Sequence, residues 1–281
     1  MPLYQLDPQH GIYALALSDA DRGVAPTEWQ ASRFPPALRR KIAVAHEGID
    51  TDLVRPWPGA AVRLNQGGLV LRPGDEVVTF VNRNLEPHRG FHVFMRALPA
   101  ILARRPRAQV VIVGGDGTSY GPPPGGGRCW REAMLAELGE RLDLSRVHFV
   151  GRVPYPALVR LLQVSAAHVY LTYPFVLSWS MLDAMSAGAL VVGSRTPPVE
   201  EVISHGRNGL LVDFHDADAL AEVVAGTLAV PGQFSPLRRA ARETVRTRYD
   251  LRRVCLPAWL ALMGDTAGQP ASEPAEELAY A

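Results

Sequence analysis

Residues 167–194 read AHVYLTYPFVLSWSMLDAMSAGALVVGS, and this stretch decides the fold. Ala167–Thr172 is a short run rich in apolar and β-favouring residues. Pro174 marks a loop, a helical run starts near Ser178 or Ser180 and lasts until Gly188, and Ala189–Gly193 is a second β-rich run. Strand, helix and strand in so few residues make a unit whose strands lie parallel. Outward from it the alternation repeats. Val77–Asn82, Gln109–Val113, Val147–Val150 and Gly209–Val212 are further short strands, several of them continuously apolar. That composition suits strands covered on both faces. Between them Phe91, Phe94, Met95, Leu98, Ile101 and Leu102 fall at helical spacing. So do Met134, Leu135, Leu138 and Leu142, then Leu158, Leu161 and Leu162, and later Leu220, Val223, Val224 and Leu228. The expectation is an α/β fold, a doubly wound parallel sheet over about 75–230.

The flanks read differently. Residues 1–53 hold an apolar run, Ile12–Leu17, that fits helix or strand, a helix start at Thr27 after Pro26, and a short strand at Ile42–Ala45. That is one βαβ step, too small to bury a core alone. Residues 54–75 are rich in Pro, Gly and Arg and read as a linker, leaving 76–232 as the principal domain. Residues 233–263 read as C-terminal helices, one of them the basic Ser235–Tyr249; 264–281 read as a disordered tail.

Composition excludes several classes. The chain has 281 residues, 29 basic and 28 acidic, for a net charge of +1. That balance gives no field strong enough to imply nucleic acid or an anionic membrane as partner. Lys41 is its one lysine, and the other basic residues are arginine. Planar guanidinium suits bidentate contact with phosphate or carboxylate, although a GC-rich genome produces the same bias. No apolar run reaches membrane-span length, and the first residues lack the basic and apolar regions of a secretory signal. Two cysteines, Cys129 and Cys255, lie far apart, which argues against a disulfide framework or a zinc site. The expectation is a soluble protein of a reducing compartment.

In a doubly wound sheet ligands sit beyond the carboxyl ends of the strands. After the first strand comes Asn82-Arg83-Asn84-Leu85-Glu86-Pro87-His88-Arg89-Gly90, two arginines and a histidine ahead of a helix N-terminus. That is either a diphosphate site or a solvated polar loop. After the second come Gly114-Gly115-Asp116-Gly117 and a Gly/Pro stretch from Gly121 to Gly127, which reads as a surface loop. The dinucleotide fingerprint fails there, which disfavours an NAD dehydrogenase. After the third comes Gly151-Arg152-Val153-Pro154, and after the fourth the segment leading to Asp183. Ser180-x-x-Asp183 is close to a capping box, so the acid is either a helix-start group or a ligand group.

In order, these residues resemble the C-terminal, donor-binding domain of family 4 glycosyltransferases, the glycosyl transferases group 1 domain. Arg83 and Arg89-Gly90 resemble its Arg…Lys-Gly clamp, and Gly114 to Gly117 its G-x-G turn. Phe149 to Val153 resembles its base-contacting segment, and Pro174 to Gly188 its P-S-x-x-E-G-F-G-x-x-x-x-E-A-M-A-x-G. Pro197 to Val212 resembles its p-E-V-I…N-G-L-L-V.

The resemblance implies a GT-B fold, two Rossmann-like domains across a cleft. It implies transfer of a sugar, with retention, from a nucleoside-diphosphate sugar to a hydroxyl of an acceptor glycan, lipid-linked sugar or small molecule. The setting it implies is envelope or exopolysaccharide assembly, in the cytoplasm or peripherally at the inner membrane. Arg83 and Arg89 would be the catalytic cations that neutralise the leaving diphosphate, so that no metal or other cofactor is required. Gly115, Gly151, Arg152, Phe175, Leu177, Ser178, Trp179 and Asp183 would bind the donor, Asp183 through the ribose hydroxyls. Two departures stand out. Phe175 falls where the family has its first glutamate, against the donor sugar. Residues 1–53 resemble only the last part of an acceptor-side domain. One wall orients two reactants poorly. A separate N-terminal chain, a homodimer, or a non-catalytic nucleotide-sugar-binding module therefore belongs among the expectations.

Overall fold

The computed structural model describes residues 8–64 and 68–266. Its N-terminal part comprises α1 (Pro8–Asp19), β1 (Gly23–Ala25), α2 (Glu28–Ser32), α3 (Pro36–Arg39) and β2 (Ile42–Val44). The two strands pair in parallel, Gly23 with Ile42 and Ala25 with Val44. Ile12–Leu17 is thus helical. The ammonium of Lys41 closes the end of α1, donating to the carbonyls of Leu17, Ser18 and Ala20 at 3.1, 3.1 and 3.0 Å. Three donors on one point charge suit a helix C-terminus, where carbonyls lack partners. The local core is small: Ala25, Ala31 and Ile42, with Leu17 and Phe34 against them.

Residues 54–75 are more than a linker. They carry β3 (Val62–Arg63) paired antiparallel with β4 (Val70–Leu71). Val54, Ala60, Leu64 and Leu71 are buried in the principal core. Prolines and glycines dominate the segment's composition, while its few apolar residues do the packing.

The principal sheet has β5 (Val77–Asn84), β6 (Gln109–Gly115), β7 (Val147–Gly151), β8 (Ala167–Tyr170), β9 (Leu190–Ser194) and β10 (Leu210–Val212). The order is β10-β9-β8-β5-β6-β7, and every pair is parallel. The direction of winding reverses between β5 and β8, so a crevice opens beyond their carboxyl ends.

Helices α4 (Phe91–Arg104), α5 (Trp130–Leu138), α6 (Tyr155–Val164), α7 (Trp179–Ala187), α8 (Pro197–Glu200), α9 (Ala217–Ala229) and α10 (Ser235–Arg248) follow in chain order. They divide between two cores. Val77, Val81 and Val111 face Leu162, Met181, Met185 and Val245, while Val78, Phe80 and Ile112 face Phe94, Leu98, Leu220 and Val224. Alternate side chains of one strand enter different cores, which is why the runs are apolar without alternation.

The chain then returns to the N-terminal part. Ile49 bridges Asp250, and its N–H donates to the Tyr249 carbonyl at 2.8 Å. Arg242 on α10 donates to the carbonyls of Thr51, Val54 and Ser186. A π-helical turn, Leu251–Cys255, leads into α11 (Leu256–Thr266). Of the expected tail, 264–266 close α11 and 267–281 lie outside the described residues. Among the described residues no helix is long and apolar enough to cross a membrane.

Candidate functional site: a cationic crevice at the switch point

Strand β5 changes register between Val81 and Asn84, which brings Asn84 opposite Gly115. The following chain turns at Gly90, with φ +68, and enters α4. A Cβ there would lie 2.3 Å from the Leu171 Cβ, so the turn needs glycine both for its backbone angle and for space. The turn carries Arg89 inward, to 7% exposure. Arg89 Nη1 donates to the Val176 carbonyl at 2.9 Å, Thr172 Oγ1 at 3.1 Å and Tyr170 Oη at 3.3 Å. Its guanidinium carbon lies 5.4 Å from the Phe175 ring centre and 5.7 Å from that of Tyr120. The cation is therefore held before any ligand arrives. Arg83, exposed, stands on the rim.

Tyr170 also fixes the facing helix. Its hydroxyl accepts the Ser178 N–H at 2.8 Å, and Ser178 caps α7. Leu177 is buried just before the cap and Trp179 stands largely exposed just after it, with its indole N–H 3.3 Å from a Glu47 carboxylate oxygen. With the cap at Ser178, Asp183 falls in the second turn. The capping box suggested by the Ser180 to Asp183 spacing does not form. Asp183 is instead 2% exposed and accepts the Tyr155 hydroxyl at 2.9 Å. Burial pushes its carboxyl up to about 6, against the smaller downward pull of that hydrogen bond. Burial and the adjacent acid push Tyr155 higher than an ordinary phenol.

Two hollows share one wall. A hollow of about 380 Å³ is lined by Arg83, Arg152, Tyr155, Ser178, Trp179 and Asp183 among others. A neighbouring one of about 280 Å³ is lined by Asn82, Arg83, Glu86, Arg89, Tyr120 and Leu177 among others. Asn82, Arg83, Ser178 and Trp179 border both, so they form one crevice with Asp183 towards one end and Arg89 towards the other. Among the described residues no acid pairs with Arg83, Arg89 or Arg152 within salt-bridge distance, whereas Arg96, Arg105 and Arg146 elsewhere are paired. A hollow of about 400 Å³ lies towards the opposite ends of the strands, but its Arg105 and Arg107 are engaged by Glu76.

The expected residues thus meet, with three adjustments. Gly115 and Gly151 line neither hollow; they place Arg152. A Cβ on Gly115 would come within 2.9 Å of both Arg152 Nε and Asn84 Oδ1, and Gly151 turns the chain at φ +66. Arg152 Nη2 then reaches Asn84 Oδ1 at 3.0 Å. Phe175 lines neither hollow and packs on Arg89 and Tyr120, ring centres 4.8 Å apart in the latter case. His88 joins that aromatic group, 5.6 Å from Tyr173. Glu86, Tyr120 and Tyr155 were not anticipated. Glu86 stood in the quoted loop between arginines that drew the attention, Tyr120 lay between two glycine-rich stretches and in neither, and Tyr155 is a helix-start residue whose partner is remote in sequence.

A parallel sheet with a crevice at its switch point defines a doubly wound, Rossmann-like α/β protein, and guanidinium groups without acid partners among the described residues wall that crevice. The chain belongs to the glycosyl transferases group 1 family, whose profile matches residues 75–229. A second profile, glycosyl transferase family 4 group, matches residues 4–54. A D-inositol 3-phosphate glycosyltransferase of Nocardia farcinica is 30% identical over 235 residues, covering 82% of this chain and 49% of that protein. D-inositol 3-phosphate glycosyltransferase 2 of Catenulispora acidiphila is 29% identical, covering 80% and 52%. The chain thus spans about half the length of these curated relatives. Anabaena HepE in complex with UDP and glucose shares the fold at TM-score 0.71 and 18% identity, covering 92% of this chain and 69% of that one. The C-terminal domain of a Francisella tularensis glycosyl transferase group 1 protein does so at TM-score 0.61 and 15% identity, covering 73% and 100%.

Proposed function

We propose that this chain supplies the donor-binding wall of a retaining glycosyltransferase. The crevice takes a nucleoside-diphosphate sugar. Asp183 accepts the ribose hydroxyls, the start of α7 at Ser178 and Trp179 meets the phosphates, and Arg83 and Arg89 neutralise the diphosphate. Charge grows on that diphosphate as the bond to the sugar breaks, so fixed cations lower the barrier. Neutralisation by two guanidinium groups leaves no step that calls for a metal. The acceptor hydroxyl, from a glycan, lipid-linked sugar or small molecule of envelope or exopolysaccharide assembly, approaches from the side of residues 46–50, where Glu47 meets Trp179.

One observation carries this reading: three arginines without acid partners among the described residues line the same crevice as a buried acid. Calorimetric titration with UDP, GDP, ADP and dTDP tests it. At least one should bind the wild type, and Asp183→Ala should weaken it about tenfold or more. Equal affinity in both proteins removes Asp183 from the site. A second reading is favoured by the share of the relatives that the chain spans, about half. In it the chain is one half of a split transferase, or a nucleotide-sugar-binding module, that needs a separate chain or a second copy to build the acceptor wall. Turnover of donor and acceptor by the purified chain as a monomer contradicts it.

A further inference from the structure

Glu86 is the least explained polar group of the crevice. It is 1% exposed. Its backbone carbonyl accepts the N–H groups of Arg89 and Phe91 at 3.2 and 3.3 Å, so its place in the turn is fixed. Its Oε2 accepts the N–H groups of Ser119 and Tyr120 at 3.0 and 2.9 Å, tying down the loop after β6. Its Oε1 is buried with no hydrogen-bond partner among the described residues, although the residue borders the hollow that holds Arg83 and Arg89. An acceptor left without a donor inside a protein is costly and asks for a reason. One oxygen serves the fold, and the other is left to serve a ligand.

The order of groups along the crevice says which part of a ligand. Asp183 borders one hollow, Arg89 and Glu86 border the other, and Arg83 borders both. A nucleoside-diphosphate sugar is linear in the same sense, with ribose, diphosphate and sugar in turn. With the ribose on Asp183 and the diphosphate on the arginines, the sugar falls beside Glu86. Its neighbours there suit a sugar: the ring of Tyr120 borders the same hollow as an apolar wall, and Arg89 Nη1 is taken up by Thr172 Oγ1 and the Val176 carbonyl. A neutral hydroxyl is the donor that Oε1 lacks.

We propose that Glu86 recognises the transferred sugar, its free carboxylate oxygen accepting a hydrogen bond from a sugar hydroxyl. This rests on the nucleotide-sugar reading and deepens it. Glu86→Gln is the informative variant. Its amide oxygen can keep the Ser119 and Tyr120 N–H groups while its NH₂ replaces Oε1, a donor in place of an acceptor. Titration with UDP, GDP, ADP and dTDP, and with UDP-glucose, GDP-mannose, ADP-glucose and dTDP-glucose, identifies the best-bound pair. The variant should bind that bare diphosphate within about twofold of the wild type and the sugar form about tenfold or more weakly. Equal losses for both ligands, or no loss, overturn the proposal and leave Glu86 a loop anchor. The wild type gives a second test that needs no variant. Single-deoxy forms of the same nucleotide sugar should include one that binds about tenfold weaker, and equal affinity for all of them also overturns it. If the wild type binds the diphosphates but gains nothing from the sugar, Glu86 loses this role while the donor-binding reading stands. If it binds none of these ligands, both fall.

Discussion

Replacing Asp183 by asparagine separates what this residue does for the fold from what it does for a ligand. The carboxyl is 2% exposed and burial raises it to about 6 from an ordinary 3.8. A carboxyl raised on folding stabilises the folded chain only while protonated. That benefit is whole below about pH 3.8 and is lost as pH rises through about 6. The gap of about 2 pH units amounts to about 3 kcal/mol between the two ends of the titration. Asparagine is uncharged at every pH and still offers Tyr155 an acceptor. Urea unfolding of both proteins at pH 5 and pH 8 measures the difference. The variant should gain on the wild type by about 1.4 kcal/mol between the two conditions, with m unchanged. A stability difference that does not move with pH, or that moves the other way, refutes the reasoning. The same substitution should weaken nucleoside-diphosphate binding at pH 8, because an amide accepts from two ribose hydroxyls less well than a carboxylate. Wild-type affinity should fall below about pH 6 more steeply than the variant's. Comparison with the variant removes the titration of the diphosphate itself, which lies in the same range.

Three further perturbations address other parts of the crevice. Arg89→Ala should cost roughly 1–3 kcal/mol of stability by leaving Tyr170, Thr172 and Val176 short of a donor, and should also abolish diphosphate binding, whereas Arg83→Ala should reduce binding with stability within about 0.5 kcal/mol of wild type. Denaturation and calorimetry side by side check the contrast, and equal stability losses contradict it. Gly90→Ala should destabilise by about 2 kcal/mol or more, since a methyl would collide with Leu171 and the backbone lies in the left-handed region; a melt within 2 °C of wild type contradicts this. Tyr155→Phe removes the hydrogen bond that lowers the Asp183 carboxyl, so the pH below which nucleotide affinity falls should move up, as read from a titration series between pH 5 and 8.

Much of the fold was legible because double burial leaves a plain signature. A strand with both faces in a core is largely apolar without alternation, and the six strands of the principal sheet lie on short β-rich runs, several of them of that kind. The hairpin at Val62–Arg63 and Val70–Leu71 left no such mark, since strands of two residues are too short for a period to appear. The site was legible as a set of residue types after strand ends, because the topology brings those ends together. Its register was legible only to within two residues. Ser178 rather than Ser180 caps α7 because the Ser178 N–H meets the Tyr170 hydroxyl, a tertiary contact that no local pattern carries. The same holds for Glu86: an acid among arginines reads as solvation, and only its burial and its unmatched oxygen mark it. Phe175, by contrast, was visible as a departure, and its packing on Arg89 gives that departure a structural use.

The most direct test is a crystal structure of the chain with the nucleoside diphosphate it binds best. The phosphates should lie within hydrogen-bond reach of the guanidinium groups at 83 and 89, and the ribose hydroxyls on the Asp183 carboxylate. Density in the hollow beside Glu76 and Arg238, or a ribose turned away from Asp183, contradicts the assignment.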